Sequence, residues 1–180
     1  MKKSYLIFIT FIFLSSCNSI VKTIYDDTTA RYNAYFIANE EIKNIEEDYE
    51  KNLNQGFDSL IDLTYKIDTN QVSSIQERTQ NSIEKLSILI QRQTTSKYVY
   101  PSYALIGKSR LLNLNLKEAI TTLKYVNSKS NNNEANTMAL VYLLRAYTEN
   151  KDYNSAQEVD KFLTNREMNE NLKIEYYKNS

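Results

Sequence analysis

Aliphatic and aromatic residues recur every three or four positions along most of this chain, and only two glycines and one proline interrupt them. That period predicts an all-α fold, since strands would show two-residue alternation between frequent breakers. A long helix is expected from about Ile24 to Asn54, where Tyr25, Tyr32, Phe36, Ile42, Ile45, Tyr49 and Leu53 form a stripe at helical spacing and Gly56 supplies the stop. From Phe57 to Asn70 the apolar Leu60, Ile61 and Leu63 are broken up by Asp58, Asp62 and Asp68-Thr69-Asn70, which reads as a connector with one short helix. A second helix is expected to open on Ser74 and Glu77 as a capping box. It turns Ile75, Ile83, Leu86, Leu89 and Ile90 inward and ends near Thr95.

Beyond Pro101, which suits a first helical turn, the pattern changes to paired helices. Tyr103, Ile106, Gly107, Arg110 and Leu114 follow at three- and four-residue steps. Asn113-Leu114-Asn115 makes a turn, and Leu116 begins a return helix to about Ser128. After the polar loop Ser130 to Asn133, a second pair starts at Glu134 with Leu140, Leu143, Leu144 and Tyr147. It turns at Asn150-Lys151-Asp152 and resumes from Tyr153 to about Leu163. Met168 to Tyr177 opens a third pair. The N-terminal helical region therefore covers 24–99 and the helix pairs cover 100–180.

These pairs resemble tetratricopeptide repeats, which implies a right-handed α-solenoid. Ala119 and Ala156 fall at the small site of the second helix, with Leu116 and Tyr153 three positions earlier. Gly107 falls at the small site of the first helix, and Tyr147 at its later aromatic site. A small side chain is needed there because helices approach to about 8–10 Å only where the crossing is uncrowded. The match departs at Leu144, which replaces a small residue, and at Arg110, which replaces an aromatic one. The two alanines also stand 37 positions apart rather than the usual 34 or so. On the residues alone, a generic antiparallel bundle is the alternative.

The N-terminus adds an address. Lys2 and Lys3 precede an apolar run from Tyr5 to Leu14 that ends Leu14-Ser15-Ser16-Cys17. The run is about ten residues, short of the roughly 20 that span a bilayer. Charge, length and ending together read as a lipoprotein signal peptide over 1–16. Cys17 is then the lipidation site and first mature residue, with 17–23 as a lipidated tether. Roughly 160 residues remain, enough for one domain with a core.

Composition excludes more than it selects. Basic and acidic residues number 22 each, so loss of two signal lysines leaves the mature chain slightly acidic, and nucleic acid is not expected as a partner. Cys17 is the only cysteine, which excludes disulfides. Histidine is absent and no free thiol remains, so the usual general bases and metal ligands are missing. No catalytic residue, cofactor, metal or small-molecule substrate is expected. The acidic clusters Asp26-Asp27, Glu40-Glu41 and Glu46-Glu47-Asp48 read as a solvated helix face. Arg31, Arg110 and Arg145 lie among apolar neighbours, and each is expected to snorkel or to pair with a carboxylate. Tyr32, Tyr35 and Phe36, then Tyr103 beside Tyr98 and Tyr100, then Tyr176 and Tyr177, admit two readings: core, or an aromatic contact surface for a protein partner.

Two stretches carry a more specific likeness. Thr29-Ala30-Arg31-Tyr32-Asn33-Ala34-Tyr35-Phe36, continuing through Ala38-Asn39-Glu40, resembles the opening of the SprE/PorW family, tetratricopeptide lipoproteins of the Bacteroidota. Tyr103-Ala104-Leu105-Ile106-Gly107-Lys108-Ser109-Arg110 resembles that family's first repeat helix, and the family's members are several times longer. The resemblance implies a non-catalytic outer-membrane lipoprotein serving type IX secretion and gliding motility, with proteins of that machinery as partners. Asn18 is not the aspartate of inner-membrane retention, and Ser19-Ile20-Val21-Lys22 lacks an acidic surface-export run, so the expected place is the periplasmic face of the outer membrane. The alternative is a glycan-capturing lipoprotein similar to SusD-like proteins, against which stand the absence of tryptophan and the short chain.

Overall fold

The computed structural model describes residues 20–53 and 72–179, without the side chains of Tyr32, Asn33, Val72 and 49–53. The signal segment 1–16, Cys17, Asn54, Gly56 and the connector 57–70 lie outside the described residues. Within them every regular element is a helix, as the three-to-four-residue period predicts. Helix α1 runs over residues 20–53 and contains a π-helical stretch, Ala30–Tyr35, followed by Phe36–Leu53. Then come α2 (Val72–Arg92), α3 (Val99–Leu112), α4 (Leu116–Lys129), α5 (Asn133–Glu149), α6 (Tyr153–Leu163) and α7 (Glu170–Asn179).

From α1 to α6 each helix packs on the next; α3 also packs on α5, α5 on α7, and α1 touches α3. The core is built where α3, α4 and α5 meet, from residues such as Leu105, Leu111, Leu123, Val126 and Val141. Turn chemistry repeats with the sequence. Leu114 (φ 58°) and Lys151 (φ 60°) are left-handed residues that end α3 and α5. In each case the next amide closes a six-residue loop, Asn115 N–H donating to the Arg110 carbonyl at 2.9 Å and Asp152 N–H to that of Tyr147 at 2.9 Å. This is a Schellman closure made without glycine, at a local cost of about 1–2 kcal/mol for each left-handed residue. The offset of 37 that separates these turns also relates the buried faces of the following helices, Ala119, Thr122 and Val126 in α4 to Ala156, Val159 and Leu163 in α6. Tyr153 departs from the expected packing role: it is 64% exposed, because as the first residue of α6 it precedes the inward-facing turn. Tyr147 is half-buried against the core.

Three boundaries differ from expectation. The tether expected to reach residue 23 is already helical from residue 20. Helix α2 is already formed at Val72, which leaves Ser74 inside the helix and exposed rather than capping it with Glu77. Asn133 belongs to α5, and the cap is Asn132, whose side-chain oxygen accepts the Ala135 N–H at 3.1 Å.

The largest correction concerns α1. Tyr25 and Phe36 of the expected apolar stripe are exposed, while Asp26, Ala30, Ala38, Ile42, Ile45 and Glu46 are buried. Tyr32, Tyr49 and Leu53 have side chains outside the described set. The π-helical stretch, where Phe36 N–H reaches back to the Arg31 carbonyl, inserts an extra residue and rotates the N-terminal part of the face out of phase with the rest.

Gly107 performs the role its position suggests. A Cβ added there would lie 2.5 Å from Leu123 Cδ2 and 2.6 Å from Leu123 Cγ, and Leu123 is fully buried with no room to retreat. In an open helix Gly→Ala stabilises by about 0.5–1 kcal/mol. Here Gly107→Ala should instead destabilise by about 1–3 kcal/mol through overpacking. A lowered urea midpoint confirms it, and an unchanged or raised midpoint refutes the close α3–α4 contact.

Candidate functional site

Two features on opposite faces of α3 gather side chains from distant parts of the chain. The first is a buried ionic cluster. Lys108 Nζ contacts Glu46 Oε2 of α1 at 2.6 Å and Glu175 Oε1 of α7 at 2.7 Å, and sits 5.0 Å from the centre of the Tyr142 ring of α5. Arg145, also on α5, pairs with Glu46 at 3.3 Å and with Glu149 at 2.7 Å. Both basic side chains and Glu46 are almost entirely removed from solvent. Four helices therefore converge on one ammonium group.

Charge partners decide the protonation state here. Burial alone would push the Lys108 ammonium down, but the Glu46 and Glu175 carboxylates outweigh it and hold the group well above its ordinary value. Burial likewise opposes ionisation of Glu175, and Lys108 and Arg145 overcome it, so this carboxyl lies below the usual range. For Glu46 burial dominates over the pull of Lys108 and the carboxyl lies above it. Tyr142 is pushed up to about 12, by burial first, and remains a neutral phenol.

This arrangement overturns the reading of the acidic clusters as solvated for Asp26 and Glu46, which are buried, while Glu47 and Asp48 stay about half exposed. Besides Glu46, Asp26 accepts the Thr95 hydroxyl at 2.7 Å, and Asp27 accepts the Ser96 hydroxyl at 2.9 Å and the Lys97 N–H at 2.8 Å. Glu41 and Asp48 share Arg78 of α2, the latter at 2.8 Å. The acids are what docks α1 onto α2 and α3. Arg110 and Arg145 pair with carboxylates as expected, Arg110 with Glu118 at 3.5 Å. Among the described residues no group of three or more acidic, histidine or cysteine side chains is arranged to hold a metal ion.

The second feature is a tyrosine-lined groove. Two adjoining cavities of about 810 and 550 Å³ lie between α2, α3 and α4 and share Ile90, Tyr103 and Tyr125. Tyr103 and Tyr125 meet edge to face with ring centres 5.1 Å apart. Tyr100 extends the aromatic floor toward Thr95, Lys97 and the Asn131–Asn133 loop, and Arg110 stands at the other end. Burial, then Tyr125 and Tyr100, push the Tyr103 phenol up, so it stays a hydrogen-bond donor near neutral pH. Flat rings with two rotatable bonds, edged by amide and hydroxyl groups, suit an extended peptide, whose side chains stack on the rings while its backbone bonds to the rim.

The other aromatic candidates are placed elsewhere. Tyr35 turns inward, its ring centre 5.0 Å from that of Tyr98, and burial first, then Tyr142, raises its phenol. Phe36 is exposed on α1. The Tyr176 hydroxyl donates to Asp160 Oδ1 at 2.6 Å, while Tyr177 is exposed at the far end. Of the residues read as core or contact surface, Tyr103 and its neighbour Tyr100 lie in the groove. Tyr125, which completes it, was not singled out, because a lone tyrosine on the polar side of α4 carries no local signal.

Glu175 holds a helix that otherwise buries only Leu172. Its carboxyl is depressed, so its contribution to stability is present above its ordinary value of 4.5 and disappears as pH falls through the lower folded value. Below about pH 4.5 amide exchange in 170–179 should accelerate before that of α3 and α5. Glu175→Gln should produce the same selective acceleration at pH 7. Uniform exchange across all helices in either experiment refutes the latch. Truncating the shared cation, Lys108→Ala, should instead cost about 3–5 kcal/mol globally, since two buried carboxylates lose their partner. No protein-family model matches the sequence, and neither a curated protein nor a solved structure matches it.

Proposed function

We propose that this chain is a non-catalytic scaffold, a lipoprotein held by acylated Cys17 at the periplasmic face of the outer membrane, and that its helix pairs form a tetratricopeptide-like right-handed solenoid presenting a protein-binding surface. The observation that carries the reading is the Tyr100–Tyr103–Tyr125 groove, an aromatic surface left open between α2 and α4. The offset of 37 shared by turns, small residues and buried faces supports the repeat. The α3-on-α5-on-α7 packing supports a stack whose first helices lie side by side. The lipobox supports the anchor. The resemblance to SprE/PorW lipoproteins points to type IX secretion and gliding motility as the setting, with proteins of that machinery as partners.

The groove reading is tested with Tyr103→Ala/Tyr125→Ala in the full-length protein. Affinity capture from cells should lose its protein partners by at least about tenfold, the scale of one or two interfacial hot-spot residues, while helicity by circular dichroism is retained. Undiminished capture by the double variant moves the binding surface elsewhere. Intact secretion and motility after gene deletion would remove the type IX setting.

A further inference from the structure

The first two turns of α1 are amphipathic in the inverted sense. Ile20, Val21, Ile24 and Tyr25 are between 58% and 66% exposed. At about 100° per residue they fall within about 140° of arc. The polar side of the same turns faces the protein: Asp26 is buried on Thr95, Asp27 is bound by Ser96 and Lys97, and Ala30 completes the inward face. Thr28, which lies within the outward arc, spends its hydroxyl on the Ile24 carbonyl at 2.8 Å, and Thr29 on the flank donates to the Tyr25 carbonyl at 2.6 Å. The outward face is thus apolar with its hydroxyls internally satisfied. Lys22 is exposed about 60° beyond one edge of this arc, while Asp27, about 20° beyond the other, is half-buried and turned onto Ser96 and Lys97.

We infer that this face lies in the membrane interface, with a bilayer as its occupant. The inference rests on Cys17 being acylated. Ile20 lies three residue steps beyond Cys17, a reach of at most about 10–11 Å at 3.3–3.6 Å per residue. An acyl anchor at Cys17 therefore leaves the Ile20 face no option of standing clear of the lipid surface. A short helix with apolar residues on one side and a lysine on the flank is the form that lies in the headgroup region, its lysine reaching the phosphates. No described helix is long and apolar enough to cross a membrane, so α1 lies on the surface rather than through it. Because α1 is tied to α2 and α3 by directional polar bonds, its orientation also sets that of the helix pairs relative to the membrane.

The test uses the mature acylated chain in vesicles of phosphatidylethanolamine and phosphatidylglycerol. The Cys17 sulfur is consumed by the lipid, so Ile24→Cys and, separately, Lys124→Cys on the exposed side of α4 each offer a single free thiol for an environment-sensitive fluorophore. Position 24 should show blue-shifted emission and several-fold stronger quenching by spin-labelled acyl chains than position 124. Equal emission and quenching at the two positions, with acylation of Cys17 verified by mass, overturns the interfacial placement and leaves the anchor standing. An unacylated Cys17 in mature protein overturns the anchor, and the inference falls with it. Shielding of position 24 in cells but not in vesicles assigns the face to a protein partner and likewise overturns it.

Discussion

One ammonium group determines how the ends of this chain meet its middle. Lys108 donates to the carboxylates of Glu46 and Glu175, residues from the first and last described helices, inside a core that has no disulfide to fix either. Removing such charges from water costs several kcal/mol per ion, and their attraction offsets this only when the geometry is close and the remaining valences are filled. Arg145 and Glu149 fill them here. The net contribution to stability is therefore modest, and what the cluster confers is position. An apolar contact can slide by a turn at little cost, whereas a carboxylate displaced from Lys108 is left buried without a counter-ion. This matters most for α7, which fully buries a single apolar side chain and is otherwise placed by the Tyr176–Asp160 hydrogen bond.

The helix pairs were legible in the sequence because their signals are local. Apolar spacing, the Asn113-Leu114-Asn115 and Asn150-Lys151-Asp152 turns and the placement of Gly107 and Ala119 each act within a few residues, and the helices start and stop close to where those signals put them. The face of α1 was not legible, for two physical reasons. Its first inward positions, Asp26 and Ala30, carry little hydrophobic weight, while Tyr25 and Phe36 point outward, and the expected stripe meets the core only at Ile42 and Ile45. The π-helical stretch then shifts the phase by one residue midway. The acids find partners 30 to 70 positions or more away, as with Arg78 and Asp48 or Ser96 and Asp27, and no local pattern contains that information. The groove was half legible: Tyr103 stands out beside Tyr98 and Tyr100, but its pairing with Tyr125 depends on how α4 folds back over α3.

The groove and the ionic cluster are coupled through the helix that bears both. Tyr103, Ile106 and Arg110 follow one another at three- and four-residue steps and line the groove, while Lys108 points from the opposite side of the same turns. A partner seated on the tyrosines therefore contacts a helix whose rotation about its axis is already fixed by two carboxylates. Such preorganisation lowers the ordering cost of binding, which otherwise subtracts from the affinity that aromatic contact area provides.

Polar docking of α1 has a further consequence for where apolar surface can go. A helix attached by its hydrophobic stripe must present its polar side to the outside, so it can dissolve in water and do little else at its outer face. The N-terminal turns of α1, attached through Asp26 and Asp27 ahead of the buried Ala38, Ile42 and Ile45, are released from that constraint, because carboxylates there supply both specificity and attachment. Their large apolar residues are then free to face outward near the N-terminus, where a lipid group three residues before Ile20 would make water the less relevant solvent. In the first turns of α1 the acids that look like a solvated surface in the sequence, and the apolar residues that look like core, exchange places for a single reason: there the protein is on the polar side of the helix.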